Sequence, residues 1–83
     1  MKTRYLTIEQ LKRIPVITVE QGKQLASDIL DEQLELHRQM QCVDDITEWQ
    51  KLSDRHFYLR KIRQSVLHDT GLMAIAQKKA AKR

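Results

Sequence analysis

The sequence predicts an all-α fold: a short N-terminal helix, then a long antiparallel helical hairpin and a basic C-terminal tail. Three observations predict it. Two glycines and one proline in 83 residues leave little to interrupt a helix, and the chain is rich in Leu, Gln, Glu, Lys and Arg, which propagate helices well. Three phrases, Thr7-Ile8-Glu9-Gln10, Thr18-Val19-Glu20-Gln21 and Asp45-Ile46-Thr47-Glu48, have the form of a capping box at a helix start. Between them the apolar residues recur at helical spacing.

The first box starts a helix over residues 8–14. The Thr7 hydroxyl is placed to accept from the third helical amide, and Gln10 to reach back to the Thr7 amide. Pro15 ends it, because a proline disfavours helical geometry at the preceding residue. The second box starts a helix over 19–41. Leu25, Ala26, Ile29, Leu30, Leu34, Leu36 and Met40 fill one broad face, with Asp28, Asp31, Glu32 and Glu35 opposite. The third box starts a helix over 46–68, and its acidic first turn suits the positive helix end. Asp69-Thr70-Gly71 reads as a stop, with Gly71 free to turn left-handed. Residues 72–83 follow as a short helix or a frayed basic tail, closing a single domain over 1–83.

Each long helix is roughly 35 Å, and the short link between them forces an antiparallel pair. Trp49, Leu52, His56, Leu59, Arg63 and Val66 form a heptad seam on the third helix. Gly22, Ala26, Ile29, Gln33, Leu36 and Met40 form the facing seam. Folding about 44–45 pairs Met40 with Trp49, Leu36 with Leu52, Gln33 with His56, Ile29 with Leu59, Ala26 with Arg63 and Gly22 with Val66. This predicts a large apolar layer at the closed end and a polar Gln33–His56 layer in the middle. At the open end, small residues would leave room for Leu11 and Ile14 of the first helix.

LKRIPVITVEQGKQL is similar to the helix-hairpin-helix pattern of DNA-binding proteins at Leu11, Ile14, Pro15, Ile17, Gly22 and Leu25. Val16 and Thr18 stand where that pattern has glycines, which let backbone amides approach a phosphate. The stretch also fails as a helix-turn-helix, at Lys12, Val16 and Gly22. It therefore reads as a capped joint between two helices.

No catalytic set emerges. There is no glycine-rich phosphate loop and no Ser/His/Asp or Cys/His constellation, so the expectation is a non-enzymatic protein without cofactors. His37, Cys42, His56 and His68 lack zinc-ligand spacing, and there is no Glu-x-x-His pair for a bundle metal site. One cysteine, expected as a partly buried residue near a helix end, excludes an internal disulfide. No run approaches the ~20 apolar residues of a membrane span, and MKTRYL lacks a signal peptide's apolar stretch. A cytoplasmic protein of a bacterium or phage, with no membrane role, is expected.

Charge is segregated. Residues 1–27 carry five bases and two acids, 28–54 two bases and eight acids, and 55–83 eight bases and one acid. That pattern favours internal pairing or an oriented partner over a uniformly basic nucleic-acid protein. The leading expectation is a small regulator, accessory subunit or inhibitor that binds another protein through charged and aromatic helix faces. Its candidate contacts are Asp28, Asp31, Glu32, Glu35, Arg55, Phe57, Tyr58, Arg60 and Lys61. A homodimer is a second expected assembly, because so short a chain buries only about 60–65% of the surface it exposes unfolded. The alternative is a nucleic-acid binder using Arg55, Arg60, Lys61, Lys78, Lys79, Lys82 and Arg83 on phosphates.

Overall fold

A computed structural model of the chain describes residue 3, residues 6–16 and residues 18–81. It has three helices, α1 (Ile8–Lys12), α2 (Val19–Cys42) and α3 (Ile46–Ala81), and no strands among the described residues. The two long helices pack against each other as a hairpin, as the heptad seams predict. The molecule is a rod of 58 × 21 × 17 Å. Its length is that of α3, whose 36 residues span about 54 Å at helical rise.

Both threonine boxes close. The Gln10 amide donates to Thr7 Oγ1 at 3.1 Å, and the Thr7 amide to Gln10 Oε1 at 2.8 Å. The Gln21 amide donates to Thr18 Oγ1 at 3.1 Å, and the Thr18 amide to Gln21 Oε1 at 3.2 Å. The third start is half a box. Asp45 Oδ1 accepts from the Thr47 amide at 2.9 Å, while Glu48 turns to Lys51 at 3.7 Å. α1 stops at Lys12, two residues early. The Arg13 and Ile14 amides donate three residues back, to the Gln10 and Leu11 carbonyls, tightening the turn ahead of Pro15.

The largest departure is the end of α3. It does not stop at His68 but runs through Asp69-Thr70-Gly71 to Ala81. Gly71 has no positive φ. A glycine inside a helix costs about 1 kcal/mol relative to alanine, and the Leu, Met, Ala, Gln and Lys that follow are strong helix formers that outweigh it. Thr70 also turns inward, its hydroxyl donating to the Val66 carbonyl at 2.7 Å.

That continuation resets the open end of the hairpin. Gly22 lies against Thr70, one turn beyond the Val66 expected there. The space beside the glycine is therefore filled by α3 and not by α1, which packs on α3 instead. The core joins Leu11 to Leu25, Ala26, Ile29, Leu36, Leu59, Ile62 and Val66, with Ile29 and Leu59 fully buried. The closed end is looser than its large residues suggest. Met40 is half-buried, and Trp49 and Ile46 are exposed at 39% and 78%. Cys42, expected partly buried, is exposed, because the last turn of α2 has little opposite it.

The hairpin has two unlike sides. Thr3 and α1 lie along one of them, over Glu32, Arg55 and Ile62. Successive helical residues are about 100° apart, so Ile62 and Arg63 stand on opposite shoulders of α3. Ile62 is buried on the α1 side, and Arg63 stands on the flank that no other described element covers.

Candidate functional site

The acidic face of α2 divides in two. Glu32, expected on the solvent side, is buried at 8% exposure. Arg55 donates to both of its carboxylate oxygens, and Thr3 Oγ1 donates to Glu32 Oε1 at 2.7 Å. Arg55 Nη2 also donates to the Thr3 carbonyl at 2.9 Å. This knot ties the N-terminal segment across both long helices. It uses Glu32 and Arg55 internally, so neither is presented to a partner in the way the charge pattern suggested.

The other acids remain outside. Asp28 is half-buried and accepts from Gln24 Nε2 at 2.8 Å. Glu35 pairs with Arg38 at 3.2 Å, and Asp31 is exposed. The Glu35–Arg38 pair runs along one helix, and Asp31 is the most open of the three carboxylates.

Phe57 and Tyr58 are 51% and 46% exposed. Their rings meet edge to face at 5.8 Å between centroids, and Lys61 Nζ sits 4.6 Å from the Phe57 ring centre. Such a cation over an aromatic face is worth about 0.5–1 kcal/mol at an exposed site. The cluster sits mid-helix and so is held on a rigid element. Arg60 is exposed beside it and makes no ion pair among the described residues. Lys78 and Lys79 are exposed in the last turns of α3, while Lys82 and Arg83 lie outside the described residues, as does Ile17.

Two features escaped the sequence reading. One is Thr3, whose place over the Glu32–Arg55 pair has no local signal. The other is Arg63. Its seam position predicted a residue facing Ala26, but among the described residues its buried Nε has no hydrogen-bond partner. A buried unpaired donor costs about 1–3 kcal/mol.

Between α1 and α3 runs an open groove of about 390 Å³. Its walls are Leu11, Ile14, Val16, Ile62 and Val66, with Lys12, Lys61 and Asp69 at the rim. No acid–base or nucleophile pair converges on it. Among the described residues no group of His, Cys, Asp and Glu is placed to hold a metal ion, and no helix is long and apolar enough to cross a membrane. His37 contacts Gln41 at 3.3 Å and His68 lies 3.7 Å from Asp69, each within its own helix.

Comparison with known proteins finds no family model, no curated protein and no solved structure that matches the chain.

Proposed function

We propose that the protein is a non-enzymatic interaction protein, a small regulator, accessory subunit or inhibitor that acts by binding another protein through the faces of α2 and α3. The observation that carries this reading is the half-exposed Phe57–Tyr58 pair on the middle of a rigid helix, flanked by Arg60 and Lys61. Aromatics and arginines are the side chains that most often supply binding energy at protein interfaces. Asp31 and Glu35 add an acidic patch on α2. A cytoplasmic setting goes with the lone, exposed Cys42, which has no partner cysteine.

Affinity capture from a cell lysate with the whole protein as bait tests the reading. One protein recovered in fixed proportion to the bait is expected; no such protein would sink it.

A second reading has its own observation. α3 carries seven Lys or Arg against three Asp or Glu over residues 46–81, with Arg60, Lys61, Lys78 and Lys79 exposed. Phosphate contacts through these bases would make binding to DNA or RNA fall log-linearly with salt. No retention on either nucleic acid at low salt would remove this reading.

A further inference from the structure

The uncovered flank of the hairpin has a composition unlike the rest of the surface. Trp49 and Leu67 are eighteen residues apart, about five whole turns, so they project from the same line of α3. They are 39% and 41% exposed, and Leu30 of α2 is 37% exposed. His56, Arg60 and Arg63 fall within about 40° of that line, between the two apolar ends. The acids are elsewhere. Glu48, Asp54 and Asp69, which are all of the Asp and Glu of α3, lie about 100° or more from it. On α2, Asp28, Asp31, Glu32 and Glu35 lie about 100° or more from Leu30. Between its apolar ends the flank therefore carries basic side chains and no carboxylate. Arg63 adds a buried Nε donor with no acceptor among the described residues.

We propose that this flank is the docking surface for an acidic amphipathic helix of the partner protein, an inference that rests on the protein-binding reading above. Apolar anchors at Trp49 and Leu67, about five turns apart with Leu30 beside them and basic side chains between, match one face of an amphipathic helix laid along the flank. Carboxylates on the margins of that helix would meet the guanidinium groups of Arg60 and Arg63. A second copy of this chain fits less well. A two-fold pairing through the flank brings Arg60 and Arg63 of both copies together with no acid on the surface to offset them. Nucleic acid fits less well too, because Leu30 and Leu67 are aliphatic and leave Trp49 as the one aromatic face on the flank for a base to stack on.

The test uses the whole protein and a dye-labelled synthetic helix with leucines on one face and glutamates on both margins. Fluorescence anisotropy is expected to show binding that weakens at least tenfold in the folded double variant Arg60→Glu/Leu67→Ser. It should be absent for the same peptide with lysines in place of the glutamates. Arg63→Met should bind the peptide more weakly while melting no lower than wild type, since it removes an unpaired donor and keeps the packing. Any one of four results overturns the proposal: no binding of the acidic helix, equal binding of a scrambled acidic peptide, displacement of the helix by duplex DNA, or self-association of the protein that Leu67→Ser abolishes. Lysate capture with Arg60→Glu/Leu67→Ser separates this surface from protein binding in general. A partner still recovered by that variant overturns this surface and leaves the protein-binding reading standing, whereas wild-type bait that recovers no stoichiometric protein defeats the broader reading.

Discussion

Gly22 of α2 lies so close to Thr70 of α3 that a methyl group on the glycine would fall 1.9 Å from the threonine hydroxyl and 3.0 Å from its Cβ. The hydroxyl is already engaged with the Val66 carbonyl, so it does not swing away freely. Gly22→Ala is therefore expected to destabilise the protein. Overpacking costs about 1–3 kcal/mol, against about 1 kcal/mol regained in helix propensity. In Gly22→Ala/Thr70→Ala the closest atom is removed, and more than half of the loss should return. Urea unfolding of the two single variants and the double would check it; additive losses would mean that the helices do not meet there.

The other glycine has the opposite prospect. A Cβ on Gly71 meets nothing within 4 Å, and its backbone is helical with no positive φ. Gly71→Ala should raise stability by about 0.5–1 kcal/mol. The same substitution at a left-handed helix end would lower it, so the sign of the change in a thermal melt distinguishes a continuous α3 from one that stops at His68.

The knot around Glu32 predicts a larger effect. Its side chain is 7% exposed and that of Arg55 25%. Removing one partner of a fully buried pair costs about 3–5 kcal/mol. With the arginine partly in water, Glu32→Ala should cost about 2–3 kcal/mol, a discount on that range. Arg55→Ala should cost a similar amount, and the double variant clearly less than the sum. Thr3→Ala should also loosen the N-terminal segment, read as faster amide exchange in α1.

Gln33 is buried and His56 half-buried at the middle of the seam. His56→Leu exchanges a polar group in this layer for apolar packing. Stability should rise by about 1 kcal/mol, or roughly 4–8 °C in Tm for a domain of this size. The cost should appear as lost uniqueness, seen as a broader spread of oligomers in sedimentation. A lower Tm would contradict the layer.

The legible parts of the fold were those with short-range causes. Thr7–Gln10 and Thr18–Gln21 set helix starts through bonds three residues long, and the seam from Gly22 to Leu36 followed from helical period alone. What escaped depended on distant partners. Asp69-Thr70-Gly71 carries a stop signal, and the good helix formers that make up nine of the ten residues after it, with the seat of Thr70 against Gly22, override that signal. Glu32 looks like its acidic neighbours in sequence, but it alone faces Thr3 and Arg55 across the bundle. The basic flank around Arg63 was hidden because one seam residue in two points partly outward, and which side stays open is decided by where α1 lies.

The function proposed for this chain is to hold another protein. Native mass spectrometry of material captured by the whole protein from a nuclease-treated lysate tests it most directly. A complex of the chain with one other protein at fixed stoichiometry, unchanged by the nuclease, is expected. Recovery of the free chain alone, or of a complex that nuclease destroys, would contradict it.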